Sequence, residues 1–413
     1  MKFLHSIIIA TCICFTLINC TKSDTIIEPD VFQIDPPKAA GDLVSVNLIS
    51  TLTAANLKAS ALIYGSFGVI INQSSIIYDV DIYKVVYKTM YKNNLIDASG
   101  LVALPKNNTK SLATYSFQHG TIILKTDAPS VDINSQFLNL ELAIPASFGM
   151  VAVLPDYIGF GSSSNLFHTY YIKDLIATSV LDNIKAAKIL AVKKSLNINK
   201  KLILIGYSEG GYATMATHQY IEKNNLSDVE IVASYPAAGG YDIRSFQDTI
   251  KTITSYEQPF YLGYVVLSYK NYYNFTTPTL SDIFTPTYRS KIEALYDGTK
   301  DGTAINSNIT TQIPSLFNTN FLNNIFTDAT FLNIKNAIDS NSLVNWKPNA
   351  KMYMYHGKAD NWVFYDNSVK TFVNLIKNGA TNLTFIPLEG THTTAFIPFA
   401  NDVLTKISAL GIY

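Results

Sequence analysis

Cysteine is confined to the first twenty positions of this 413-residue chain, at Cys12, Cys14 and Cys20. Beyond Cys20 there can be no disulfide framework, no cysteine nucleophile and no thiolate metal site. Excess charge is missing too: Lys+Arg and Asp+Glu number 31 each, for a net charge of +0. A surface built to hold nucleic-acid phosphates needs a basic surplus, so nucleic acid is not an expected partner. No glycine loop of the phosphate-binding kind occurs, and no metal or organic cofactor is called for. Internal repeats and low-complexity tracts are also lacking. Histidine is scarce, with six in all, so a catalytic base can be sought by elimination.

Hydrophobic residues are plentiful, at 48% of the chain. Tyr (26) and Phe (22) are numerous while charged residues make up only 15%, a composition able to fill a large core and line apolar clefts. The opening "MKFLHSIIIATCICFTLINC" carries Lys2 and an apolar run from about Ile7 to Ile18. That run is short for a membrane span and suits the core of a signal peptide. "LINC" followed by "TKSD" resembles a bacterial lipoprotein signal over 1–19, with Cys20 as the lipidated first residue, although Asn19 stands where Gly, Ala or Ser is usual. The expected location is the bacterial cell envelope, with a membrane anchor through Cys20. An ordinary cleaved signal, giving a secreted protein, or an N-terminal anchor helix are the alternatives. Residues 20–45, with "EPD" and "DPPKAAGD", read as a tether to a domain spanning 46–413.

From about residue 80 a regular pattern begins. Stretches 79–91, 98–105 and 111–120 read as strands, and "GMVAVLPDY" (149–157) as one buried on both faces. An amphipathic helix follows at 170–194, then strand 200–208, helix 210–225 and strand 229–240. Near the end come strand 350–357, helix 366–378, strand 382–389 and helix 394–410. Strands alternating with helices imply a mostly parallel sheet flanked by helices. The alternation stops over about 241–348, which reads as a mainly helical cap insertion. Its aromatic run 256–275 could bind an acyl chain or simply form the cap's core.

Acyl transfer needs a nucleophile, a base, a group that orients the base and donors for the oxyanion. Ser208 in "GYSEGG" follows a buried strand and precedes a helix, the context that gives G-x-S-x-G its meaning. The backbone N–H of Glu209 would serve the oxyanion, while its carboxylate is expected to make a local hydrogen bond. Of the histidines, His5 lies in the signal segment and His218 on the helix after Ser208. His119 and His356 each precede a glycine at a strand end, and His168 sits in a loop. His392 in "EGTHTT" follows the last strand and is the expected base. Asp360, just past the preceding strand, is the expected orienting acid. Asp366 is its rival but suits a helix N-terminus. The loop "FQHGTIIL" (117–124) offers a second oxyanion donor in the N–H of Thr121 or Gly120.

These residues resemble the α/β-hydrolase superfamily over about 80–413. "LPDYIGFGSS" (154–163) is similar to the "PDYxGxG" segment of the secretory lipase family, the fungal lipase-A type and its bacterial relatives. "QHG", "PDYIGFG", "GYSEGG", "HGKADNWV" and "GTHT" occur in that family's order. The resemblance implies an α/β-hydrolase fold and cleavage of carboxylic esters, lipids among them, beneath a helical cap. Asp156 and Tyr157 are assigned no chemistry; they are candidates for the pocket wall, with a purely structural role the preferred reading. A serine peptidase would share every catalytic residue, and a binding protein on a retired hydrolase scaffold would keep the fold alone.

Overall fold

The computed structural model describes residues 36–412. The signal-type segment, Cys20 and most of the expected tether lie outside the described residues. A nine-stranded sheet runs through the molecule in the order β1-β2-β3-β5-β4-β6-β7-β8-β9. Its strands are β1 (Leu43–Leu52), β2 (Val80–Tyr91), β3 (Asn94–Pro105), β4 (Ser111–Gln118), β5 (Val151–Pro155), β6 (Asn197–Tyr207), β7 (Glu230–Ala237), β8 (Met352–Gly357) and β9 (Leu383–Leu388).

The first three strands are antiparallel to their neighbours, and every pairing from β5 to β9 is parallel. β2 and β3 close through a two-residue turn, in which Lys92 and Asn93 both take positive φ (47° and 64°). That twist matches the right-handed twist of the paired strands. β1 starts at Leu43, inside the stretch expected to be tether, and pairs with β2. Its side chains are mostly half-buried, so it lacks the continuous apolar run that marks the central strands. By contrast Leu202–Ile205 of β6 are all buried, as a strand with both faces covered requires.

Helices cover the sheet: α1 (Ala54–Ser66), α2 (Lys173–Lys193), α3 (Glu209–Lys223), and beyond the cap α7 (Tyr365–Lys377) and α8 (Phe396–Leu410). Leu175, Val180, Ile184, Ala187 and Leu190 form the buried stripe of α2. Between β7 and β8 no strand occurs among the described residues; the chain forms helices, chief among them α4 (Ile243–Ile250), α5 (Pro259–Tyr273) and α6 (Leu332–Asn341). Asp242 caps α4 by accepting from the Ser245 N–H at 2.9 Å, and Asn274 ends α5 in the left-handed conformation. Phe317 packs on Phe284 and Phe321, so this insertion has an aromatic core of its own. No helix among the described residues is long and apolar enough to cross a membrane.

The parallel strands share a direction, so their C-terminal ends share one edge. The loops after β4, β5, β6, β8 and β9 therefore converge there, where ligands bind in open α/β sheets. The insertion lies over this edge. Its Tyr256 hydroxyl donates to the Trp362 carbonyl at 2.6 Å, and its Glu257 carboxylate accepts from the Trp362 indole at 3.1 Å and from Asn361 at 2.8 Å.

Candidate active site

Strand β6 ends at Tyr207 and α3 begins at Glu209, which leaves Ser208 alone in the turn between them. Its φ of 62° and ψ of −124° are rare for a residue with a side chain. The bond from the Ser208 N–H to the Ala237 carbonyl (2.9 Å) holds it there. Glycine is required on either side. A Cβ on Gly206 would collide with the Gly210 backbone, and one on Gly210 with the carbonyl of Gln118 on β4. Strand and helix can thus approach closely enough to lift the serine side chain into the site.

His392 Nε2 lies 2.9 Å from Ser208 Oγ, and its Nδ1 lies 2.7 Å from Asp360 Oδ2. All three side chains are largely withdrawn from solvent. The Tyr207 hydroxyl donates to the His392 carbonyl at 2.8 Å, and the ring of Trp362 lies 5.3 Å from the imidazole, centroid to centroid. Asp360 is fully engaged. Oδ1 accepts from the N–H groups of Trp362 and Val363 at 3.0 Å each. Burial pushes its carboxyl up, but the nearby His392 and the bonds from His356 and His392 outweigh that and hold it down at about 2. Asp366 is exposed in the first turn of α7.

His356 is a partner that reading the chain did not reveal. Its Nε2 lies 3.0 Å from Asp360 Oδ2 and 2.7 Å from the Val363 carbonyl, while Nδ1 meets Ser368 Oγ at 2.6 Å. The available signal was the i,i+4 spacing of "HGKAD" at a strand end.

The loop after β4 reaches the same place. A Cβ on Gly120 would sit 3.3 Å from the Tyr207 carbonyl and 3.6 Å from Ser208 Cβ, so the Gly120 backbone lies directly against the serine. The hydroxyls of Thr121 and Tyr170 are 3.1 Å apart. Glu209 opens α3, where backbone N–H groups have no intrahelical acceptor. Its carboxylate departs from the expected local bond. Oε1 lies 2.6 Å from Nε2 of His168, which is 41 residues away in sequence.

Asp156 and Tyr157 do not line the cavity at Ser208. Asp156 is fully buried and accepts from the Ser99 and Ser130 hydroxyls (2.6 Å each) and from the Ser130 N–H (2.8 Å). The Tyr157 hydroxyl donates to the His119 carbonyl at 3.1 Å, and its ring packs on His119. Both brace the loop carrying Gly120 from behind. His218 is buried between Ser234 and Glu222. No cluster of His, Cys, Asp and Glu among the described residues could hold a metal ion.

Beside Ser208 a cavity opens beneath the insertion, with about 770 Å³ of empty space including its mouth. Tyr261, Leu262, Val265 and Val266 of α5 form one wall; Ile334 and Ile338 of α6, with Phe317 and Phe321, form another. The opposite face of α5 buries Phe260, Tyr264 and Leu267, so the aromatic run serves cavity and core together.

A family model described as secretory lipase matches residues 124–408. No curated protein is similar in sequence. Among solved structures, the ligand-bound rice cell wall degrading esterase LipA from Xanthomonas oryzae superposes with a TM-score of 0.78 at 20% identity, covering 89% of this chain and 98% of that one. A protein from Legionella pneumophila gives 0.77 at 25% identity, over 89% and 97%. Lipase A from Candida antarctica, in its closed state, gives 0.61 at 16% identity, over 89% and 83%.

Proposed function

Because this chain belongs to the secretory lipase family of carboxylic ester hydrolases, we propose that Ser208, His392 and Asp360 hydrolyse esters through an acyl-enzyme. The observation that carries this reading is the unbroken chain of contacts Ser208 Oγ, His392 Nε2, His392 Nδ1, Asp360 Oδ2, at 2.9 and 2.7 Å. Ser208 attacks the ester carbonyl carbon while His392 Nε2 removes its proton. Asp360 fixes the tautomer with hydrogen on Nδ1 and stabilises the imidazolium that forms. The oxyanion accepts hydrogen bonds from the Glu209 N–H and from the N–H of Gly120 or Thr121. His392 then returns the proton to the departing alcohol. Water, activated by the same nitrogen, cleaves the acyl-enzyme and restores Ser208.

The apolar cavity beneath the insertion takes the acyl group, since its walls offer dispersion contacts and few polar partners. Export follows from the signal-type opening, and Cys20 is the lipid attachment point. Cys20→Ser is expected to move the protein from the membrane fraction to the soluble one; unchanged distribution would refute the anchor.

The decisive experiment is labelling with a fluorophosphonate probe, alongside p-nitrophenyl esters and aminoacyl anilides as substrates. Labelling at Ser208 and turnover of the esters are expected. Replacing His392 by Ala should lower kcat by roughly three orders of magnitude or more. An unlabelled Ser208 in folded protein would overturn the mechanism, and preferred cleavage of anilides would make it a peptidase.

A further inference from the structure

His168 and Glu209 form a buried pair that the hydrolytic cycle described above does not use. Glu209 has no solvent exposure and His168 is 4% exposed. His168 Nδ1 lies 2.8 Å from the Ile158 carbonyl. A carbonyl oxygen only accepts, so Nδ1 carries a hydrogen. Nε2 lies 2.6 Å from Glu209 Oε1, and two bare lone pairs do not approach so closely. One proton therefore sits between them. Whether it resides on the ring or on the carboxyl, the pair is neutral as a whole.

That neutrality bears on the oxyanion, because the Glu209 N–H is one of its donors. Glu209 Oε2 is buried with no hydrogen-bond partner, so nothing besides His168 compensates a negative charge on this side chain. The surroundings are aromatic, with the ring centroids of Phe160, Tyr264 and Tyr170 at 4.7, 5.7 and 5.9 Å from that of His168. We propose that His168 is a positioning residue for ester hydrolysis, which keeps the side chain beside the nucleophile from carrying an uncompensated charge against the developing oxyanion. The inference rests on the reading of Ser208 as nucleophile.

The titratable groups facing the pair are few. His119 and Asp156 stand on the loops after β4 and β5, Tyr157, Tyr170 and Tyr171 on the chain leading to α2, and Tyr261 and Tyr264 on α5. Burial holds all five tyrosines above their ordinary value and pushes His119 down, which favours the neutral form of each. Asp156 is held by Ser99 and Ser130. Apart from His392 of the catalytic cycle, a change in charge near the oxyanion must then come from Glu209 itself.

His168→Phe leaves Glu209 buried without a partner. It would ionise only at raised pH, and ionisation would oppose the oxyanion. The pH profile of kcat should gain an alkaline decline of about tenfold to a hundredfold, absent from the wild type. Adding Glu209→Gln should remove that decline, since amide replaces acid. A merely structural role would lower stability in both variants and leave the profile's shape alone. Rates are expressed per serine labelled by fluorophosphonate. An unlabelled wild type would defeat the underlying mechanism, whereas a labelled His168→Phe protein with the wild-type profile would overturn this inference alone. Nitrogen-15 spectra of the wild-type ring supply a test that needs no variant. They should show a hydrogen on Nδ1 and a hydrogen-bonded Nε2, and a bare, unbonded Nε2 would refute the shared proton.

Discussion

His356 Nε2 stands 3.0 Å from Asp360 Oδ2, the same carboxylate oxygen that His392 binds at 2.7 Å. The shared oxygen fixes the carboxylate between two imidazoles, and Ser368 in turn fixes the outer one. Removing His356 should let the Asp360 carboxylate rotate without removing it. His356→Phe is therefore expected to lower kcat by about tenfold, with a smaller change in KM, because the loss is felt when His392 becomes charged. His356→Asn, which keeps a donor, should recover part of that. Steady-state kinetics on p-nitrophenyl esters separate the two parameters, and equal loss in both variants would point to a folding defect.

Acid should weaken the protein through the same carboxyl. Asp360 is held at about 2, below the ordinary carboxylate value of 3.8. A depressed acid contributes stability that is present above its unfolded value and is lost as pH falls through its folded one. Between about pH 4 and 2 this costs on the order of 2 kcal/mol. Denaturant unfolding of the wild type and Asp360→Asn across that window measures it. The variant's stability should change less steeply with pH.

Glu141 behaves in the opposite sense. It lies in a π-helical turn (Asn139–Ala143), and burial raises its carboxyl from 4.5 to about 8. Between those values the folded state holds a proton that the unfolded state has released, so stability falls as pH rises through the window. Glu141→Gln should flatten that decline and raise Tm at about pH 8 relative to the wild type. Scanning calorimetry at several pH values checks it, and parallel curves for the two proteins would show that Glu141 is already ionised when folded.

The cavity wall on α5 predicts a change in chain-length preference. Leu262 and Val265 line the space beside Ser208. Enlarging either to Trp should remove room for a long acyl group and spare a short one. The ratio of kcat/KM for p-nitrophenyl octanoate over acetate should fall by about tenfold or more, as pocket contacts worth a few methylenes allow. An unchanged ratio would place the acyl group elsewhere.

The central sheet was legible because its strands carry continuous apolar runs, as "LILI" of β6 does, and because glycine and proline punctuate their ends. The outer strand β1 escaped notice, since its side chains are half-buried and its pattern is mixed. The lack of strands between β7 and β8 among the described residues matches where alternation stops. The cavity walls could not be read, because which face of α5 meets the cavity depends on how the insertion lies over the sheet.

The chain alone determines that Ser208 occupies a strand-to-helix turn, since glycines at 206 and 210 and the flanking β and α patterns are local features. It also narrows the candidates for a base and an acid, because few histidines and carboxylates follow strands in the right order. Tertiary structure decided the rest. His392 and Ser208 are 184 residues apart yet lie in hydrogen-bond contact, and His168 meets Glu209 across 41. Periodicity reports which face of an element is buried. It does not report what lies opposite, and here the convergence of strand ends at one edge of a parallel sheet set those pairings.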